Sequence, residues 1–553
     1  MPPEPETNES TAELAQLTAL AQKFHLDLIT AVDDAMLAHD LAADLPVEWA
    51  RAHAMLPIRY HGQPVLLIHD PTAISAQKHL ELLLKQELKP LLAPLAVIMN
   101  AIERSYFSRS DTAREFLRDL DEHAPTPDKA SPRSDDLLQV AEHAPITQLI
   151  NLILLEAIKA SASDIHVEPF ESRLRIRFRI DGMLYEQTSP PKHLEPALIS
   201  RLKVMAHMDI AEKRLPQDGV ARVRIGEREI DIRVSSIPVA EGERVVLRLL
   251  NRSTTVLPLV GLGLSVAMLE AIDRLLLEPN GIIIVSGPTG SGKTTTLYAA
   301  LQQLNKSRSN ILTIEDPIEY QLADIGQIQV KPKIGLTFAS GLRHILRQDP
   351  DTILVGEIRD LETAEIAVRA SLTGHLVFTT LHTNDAPSAV VRMIDMGVEP
   401  YLLAACLRAV LAQRLIRRLC PVCRRPATLT EAEIAVLPGS ADVSRRSGLA
   451  KGEALRPGEK AAHCTATPLA VWSPQGCPAC LEGYKGRTGL FELMIVNADM
   501  ANAIRAEHPH SQALRELAIR GGMTTLLDDG ADKLARGLTS FAELLRTIGR
   551  ASY

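Results

Sequence analysis

Residues 281–294 constrain this chain more than any other stretch. Gly281-Ile282-Ile283-Ile284-Val285-Ser286 is a short apolar run bounded by small residues, which predicts a buried strand. It leads directly into Gly287-Pro288-Thr289-Gly290-Ser291-Gly292-Lys293-Thr294, and Thr295–Leu304 then has a helical pattern. A G-x-x-x-x-G-K-[ST] sequence between a strand and a helix predicts a phosphate-binding loop. Its glycines let backbone N–H groups converge on phosphate oxygens, and the helix N-terminus adds a positive dipole. Lys293 is placed to reach the β- and γ-phosphates, and the Thr294 hydroxyl to ligate Mg²⁺. Gly287, Pro288, Thr289, Gly290, Ser291, Gly292, Lys293, Thr294 and Thr295 form the expected nucleotide contacts, with ATP and Mg²⁺ as the expected ligands.

A loop that holds phosphates hydrolyses them poorly alone; carboxylates must organise the metal and the attacking water. Two further apolar runs end in acids. Ile311–Ile314 is followed by Glu315, Asp316, Pro317, Ile318 and Glu319; Thr352–Val355 is followed by Gly356 and Glu357. In open α/β sheets ligands bind beyond the carboxyl ends of strands. Glu319 is therefore the candidate for water activation, and Glu357, with Thr294, for holding Mg²⁺. A third apolar run, Leu376–Leu381, lies between His375 and His382. Either histidine could sense the γ-phosphate, with His375 preferred.

The chain has 553 residues, enough for about three to five domains. A net charge of −8 and 3% aromatic residues give no general reason to bind nucleic acid. No run reaches the ~18–20 apolar residues of a membrane helix, and the acidic start lacks the basic n-region of a secretory signal. A cytoplasmic protein that meets a membrane only through partners is expected. Residues 1–120 form a first region, with a hairpin expected at Pro57–Ile68 around His61-Gly62 and a helix at Ala76–Leu88. The prolines and charges of residues 121–136 predict a linker. Residues 137–252 open with a helix at Pro145–Ala160. Leu174, Ile176, Phe178 and Ile180 then alternate with Arg173, Arg175, Arg177 and Arg179, which predicts a half-buried strand with a basic exposed face. Asp181-Gly182 predicts a tight turn. Arg222, Arg224, Arg233, Arg244 and Arg248 recur in later strand-like runs, so this is a small α+β domain with an arginine-studded sheet, suited to an anionic partner.

From residue 253 onward, apolar strands alternate with helical patterns, the signature of a doubly wound α/β core. Cys420/Cys423 and Cys477/Cys480 form two C-x-x-C pairs, a spacing that fits four thiolates around tetrahedral Zn²⁺. Between them, residues from about 438 to 463 are rich in Gly, Ser, Arg and Lys and predict a flexible insertion. Neither Cys406 nor Cys464 is assigned to metal. Residues 495–553 are helical, with Ser540-x-x-Glu543 predicting a capping box.

Taken together, these elements resemble the secretion-ATPase superfamily of type II secretion and type IV pili. The phosphate loop resembles its Walker A, Thr313–Tyr320 its aspartate box, Leu346–Asp360 its Walker B and Leu372–Thr383 its histidine box. Ser163–Pro169 and Ala211–Gly219 extend the resemblance upstream, over roughly residues 137–553. The tetracysteine module, Cys420 to Cys480 followed by Gly483-Tyr484, is similar to that of extension-type members, and Leu45–Ala50 and Leu56–Ile58 weakly resemble the N-terminal domain of the type II secretion ATPases (the GspE family). The resemblance implies a RecA-like core (residues 253–553, with the zinc subdomain at 415–490) preceded by a small PAS-like domain and an N-terminal docking domain. It also implies a homohexameric motor driving pseudopilus assembly. Arginines of the small domain would meet the γ-phosphate, with Arg233 and Arg248 the first candidates and Arg214 and Arg222 behind them. The implied partners are a GspL-like inner-membrane platform protein and a polytopic GspF-like one. A PilB-like pilus-extension ATPase and a conjugative DNA-transport ATPase are the alternatives.

Overall fold

The computed structural model describes residues 8–107 apart from 39–40, 42–44, 46 and 85, then 113 and 117, 145–251 apart from 226–227, 257–437 apart from 305–308, and 470–549 apart from 507–508. The expected linker at 121–136 and the insertion at 438–463 therefore lie outside the described residues. The chain divides into two compact units, Met1–Ser253 and Thr254–Tyr553.

In the N-terminal region, β1 (Met55–Tyr60) and β2 (Gln63–Ile68) pair antiparallel. They join through His61 (φ 49°) and Gly62 (φ 77°). Two consecutive positive φ values match the twist of a two-residue hairpin. A third strand, β3 (Lys89–Leu92), pairs parallel to β2. The helix expected at Ala76–Leu88 runs instead over Ile74–Leu84. The chain must turn back to form β3, and the Glu81 carboxylate accepts the Leu88 N–H at 3.3 Å beyond the helix end.

The second region is a six-stranded antiparallel sheet made from β4 (Asp164–Pro169), β5 (Leu174–Ile180), β6 (Met183–Thr188), β7 (Gln217–Ile225), β8 (Arg228–Val239) and β9 (Gly242–Asn251), in the order β6-β5-β4-β9-β8-β7. Helices Pro145–Lys159 and Glu195–Met205 bury Leu149, Ile153, Leu198 and Leu202 with Ile165, Val167, Phe178 and Leu247 of the sheet. The other side of β4 carries Asp164, His166 and Glu168, all buried. This corrects the expectation of a solvated basic face. Arg175 and Arg177 keep only about a quarter of their side-chain surface and close on Glu168 at 3.1 and 2.7 Å. Arg244 reaches the same carboxylate at 2.8 Å, and Arg248 reaches Asp164 at 2.9 Å.

The third region is a seven-stranded sheet of β10 (Gly281–Ser286), β11 (Ile311–Glu315), β12 (Gly326–Gln329), β13 (Thr352–Val355), β14 (Leu376–Leu381), β15 (Leu407–Leu419) and β18 (Tyr484–Ile495). The order is β12-β11-β13-β14-β10-β15-β18. All neighbours are parallel except β15 and β18. Every residue of β10, β13 and β14 is buried, as a parallel sheet covered on both faces requires. One face packs on helices Val266–Leu276 and Lys293–Leu304 through Leu275, Leu297 and Leu301. The other packs on Phe338–Ile345, Leu361–Leu372 and Ala386–Asp395 through Leu342, Val368 and Val390. A separate two-stranded ladder, β16 (Arg425–Thr428) with β17 (Ala470–Ser473), begins and ends the segment that carries the insertion.

Four helices close the chain, the last being Phe541–Ile548. Ser540 caps it, accepting the Glu543 N–H at 3.2 Å. The reciprocal arm of the expected capping box is not made. The Glu543 carboxylate instead binds Arg417 at 2.9 Å and Arg546 at 2.5 Å, charge-assisted bonds stronger than a neutral backbone donor offers.

Candidate functional site

The phosphate loop occupies the carboxyl end of β10, in the middle of the sheet. Ser286, the last residue of β10, is tied to β14 through Thr383, whose Oγ1 lies 2.5 Å from its hydroxyl and whose N–H it accepts at 3.2 Å. Gly287 has φ +151°, and a Cβ there would lie 2.3 Å from the Gln413 carbonyl oxygen. Gly292 has φ +87°. The loop thus needs glycine for both conformation and space. The helix Lys293–Leu304 starts immediately after it, so its first N–H groups have no intrahelical acceptor and face the loop. Pro288, Thr289 and Gly290 form the exposed crest, while Ser291 and Lys293 are buried beneath and Thr294 and Thr295 are half-buried.

Lys293 turns its ammonium onto the loop itself, donating to the carbonyls of Gly287 (2.7 Å) and Pro288 (3.2 Å). Burial pushes its pKa down, and the charge of Glu357 opposes that shift. Glu357 follows β13 and contacts the Arg359 guanidinium. Its other oxygen lies 3.6 Å from His382 Nε2. Burial and then the Lys293 charge lower the pKa of His382, outweighing the pull of Glu357. The imidazole is therefore neutral near pH 7 and can donate or accept a hydrogen bond. The buried Ser291 hydroxyl has no hydrogen-bond partner among the described residues. Free helix N–H groups, a buried lysine that donates to loop carbonyls, a buried hydroxyl and an adjacent carboxylate together fit a nucleoside triphosphate with its Mg²⁺.

The structure brings Lys293, Glu357 and His382 together but not His375. His375 precedes β14; its ring Nδ1 lies 2.8 Å from the Ala370 carbonyl and its own carbonyl accepts the Gly281 N–H. It therefore sits at the amino edge of the sheet, a strand length (roughly 20 Å for six residues) from the loop. Glu319 is exposed, and its N–H points at the Tyr298 hydroxyl at 3.4 Å.

Three residues near the loop, Tyr298, Tyr320 and Gln413, carry no role there in the sequence reading. Tyr298, fully buried on the helix after the loop, donates to Glu315 at the end of β11. Burial and the Glu315 charge raise its pKa, so it remains a donor. Tyr320 stacks edge-on against Tyr298, with centroids 4.7 Å apart, and hydrogen-bonds Thr295. The acid-bearing loop is thus fastened to the helix that follows the phosphate loop. Gln413 underlies the loop from β15, where it and its neighbour Arg414 interrupt the otherwise apolar run Val410–Leu415; a polar residue in a buried-strand pattern is the available signal.

In the tetracysteine module, Sγ–Sγ distances are 3.9 Å for Cys420–Cys477, 3.6 Å for Cys423–Cys480 and 3.5 Å for Cys477–Cys480. All four sulfur atoms lie within 4.8 Å of one another. A disulfide would need about 2.05 Å, whereas thiolates 2.3 Å from a tetrahedral centre stand about 3.8 Å apart. The donor set and spacing fit zinc.

The small-domain arginines fall into three arrangements. Arg175, Arg177 and Arg244 are committed to Glu168. Arg222 pairs with Asp231 and the exposed Arg214 with Glu212. Arg233 lies directly opposite Arg248 across the β8–β9 ladder. Like charges in that position repel. Arg248 is relieved by Asp164, whereas Arg233 has no ion-pair partner among the described residues.

Residues 139–546 match the family described as Type II/IV secretion system protein, and residues 26–111 match the MshEN domain. The chain is 46% identical over 529 residues to Type II secretion system protein E of Aeromonas hydrophila, covering 93% of this chain and 98% of the relative. It is 49% identical over 447 residues to Type II secretion system ATPase E of Vibrio cholerae, covering 80% and 83%. The X-ray structure of the Legionella pneumophila ATPase DotB superposes with a TM-score of 0.51 at 20% identity, over 76% of this chain and 96% of that one, which supports the fold. Among the described residues no helix is long and apolar enough to cross a membrane. With a complete phosphate loop at the centre of its sheet and relatives aligned along nearly its whole length, the chain belongs to the type II/IV secretion system protein family and is an ATP-hydrolysing ATPase of type II secretion.

Proposed function

We propose that this chain is the cytoplasmic motor of a type II secretion system, a homohexamer whose ATP cycle drives pseudopilus assembly. The convergence of Lys293, Glu357 and His382 on the phosphate loop carries this reading. The loop N–H groups and Lys293 hold the β- and γ-phosphates. Mg²⁺, held by Thr294 and Glu357, would neutralise charge on the phosphate oxygens. Glu319 orients the attacking water, and its place on a loop fastened through Tyr298 lets it follow movements of the nucleotide helix. His382, rather than His375, senses the γ-phosphate, because only His382 stands beside Glu357. Arg233, with Arg248, supplies positive charge to a γ-phosphate during transfer. Zinc at Cys420, Cys423, Cys477 and Cys480 is structural, since all four positions are protein ligands.

The N-terminal region docks on a GspL-like inner-membrane protein, and the motor acts on a GspF-like polytopic one, so membrane attachment comes through partners. Glu319→Gln should retain ATP binding while losing turnover, and Glu357→Gln should weaken the Mg²⁺ dependence of binding; the reverse pattern exchanges the two roles. Residues 1–120 should co-purify with the platform protein's cytoplasmic domain. Stimulation of turnover by DNA would favour a conjugative transport ATPase instead.

A further inference from the structure

The floor of the phosphate loop is a side chain from another strand. Gln413 lies on β15, one residue past Ala412, which pairs with Ser286. It is 2% exposed. Its amide nitrogen donates to the Ser291 carbonyl at 2.8 Å, and its amide oxygen accepts from the Thr296 hydroxyl at 2.7 Å. The same residue sets the glycine requirement above it. Its carbonyl oxygen lies 2.3 Å from where a Gly287 Cβ would be, and its amide nitrogen 2.9 Å from a Gly292 Cβ.

A trans peptide is planar, with C=O and N–H pointing in opposite directions. Holding the Ser291 carbonyl down on Gln413 therefore turns the Gly292 N–H upward, to the concave side of the loop. That N–H leads the series of free donors at the helix start, the groups suited to an anion. Through Thr296 the same amide also holds the first turn of the helix. We propose that Gln413 is a positioning residue that fixes the Ser291–Gly292 peptide plane and so sets the affinity of the loop for nucleotide phosphates. This rests on the phosphate-loop reading and extends it to a residue outside the loop.

The test is equilibrium binding of a fluorescent Mg-ADP, with steady-state kinetics, on the full chain. Gln413→Glu keeps an acceptor for Thr296 but removes the donor to Ser291 and sets an oxygen against its carbonyl. Gln413→Leu removes both bonds. Each should raise Kd and KM about tenfold, with kcat changed less than KM. Thr296→Val leaves the Ser291 bond intact and should shift Kd by less than about threefold. A merely structural role predicts lower thermal stability without nucleotide but wild-type Kd in the folded variants. Wild-type affinity in Gln413→Glu, confirmed folded by circular dichroism, overturns the proposal. Should Gln413→Leu fail to fold, the contrast between Gln413→Glu and Thr296→Val decides. Unaltered binding in Lys293→Ala would instead overturn the phosphate-loop reading itself.

Discussion

Lys293 and Glu168 are charged side chains buried to nearly the same extent, 8% and 4% exposed, but they are buried in opposite ways. Around Glu168 three guanidinium groups close at 2.7–3.1 Å. Burial alone would raise its carboxyl pKa, but the hydrogen bond and charge of Arg177, with Arg244 and Arg175, outweigh it and hold the group below the usual carboxylate range. Around Lys293 the hydrogen-bond partners are carbonyls of its own loop, and burial wins. One charge is neutralised by the fold; the other is held ready for a ligand of opposite sign. A count of arginines or lysines along a sequence does not separate these cases. What separates them is how many counter-charges the fold itself supplies.

That contrast can be broken by substitution, beginning with the largest effect. Lys293→Ala should lower ATP turnover by a factor on the order of a thousand or more, since it removes positive charge from the transferring phosphate. It should leave nucleotide-free thermal stability unchanged or raised, because it removes a buried cation that burial penalises; a large loss of stability would place Lys293 with Glu168. Removal of metal comes next. The purified chain should contain about one zinc, and a chelator should first deprotect amides of residues 415–437 and 470–490 in hydrogen exchange, with those of β10 and β14 following later. Glu168→Gln should then cost about 2–3 kcal/mol of local stability at β4 and β5, read by hydrogen exchange, with nucleotide affinity unchanged. That is below the ~3–5 kcal/mol of a fully buried pair, because the arginines keep some contact with water.

The smallest effect is on pH dependence. The folded Glu168 pKa is depressed relative to its unfolded value near 4.3. The folded state then binds this proton less tightly than the unfolded one. Its stabilisation is fully present above about pH 4.3 and is lost as pH falls through the lower folded value. Protection of β4 and β5 amides should therefore be flat from pH 7 to about pH 5 and decline below about pH 4. Glu168→Gln should flatten that acid limb; an unchanged limb would move the titration to another group.

The phosphate loop, the acid-terminated strands and the cysteine pairs were legible in the sequence because each is local. Their residues lie within a few positions and their spacing carries the chemistry. The hairpin at His61-Gly62 and the turn at Asp181-Gly182 were legible for the same reason. What sequence reading missed is non-local. Gln413 is more than a hundred residues from Ser291, and only the β10–β15 register brings them together. The preference for His375 over His382 failed on direction, since both flank β14 and only the polarity of the parallel sheet says which end faces the loop. The basic face of β5 was misjudged because its counter-charges belong to β4 and could not be aligned without the ladder. Glu543, expected to complete a capping box, has a stronger partner in Arg417, 126 positions away.

The β16–β17 ladder bears on how this module can change length. Thr428 and Ala470 stand opposite each other in its register, so positions far apart along the chain are held side by side. Once two ends are pinned together, lengthening the segment between them adds only loop-closure entropy, about 0.6 kcal/mol per doubling. The separation of the two cysteine pairs along the chain is therefore decoupled from their separation in space. Two cysteine pairs 57 positions apart can thus keep their four thiols within 4.8 Å of one another.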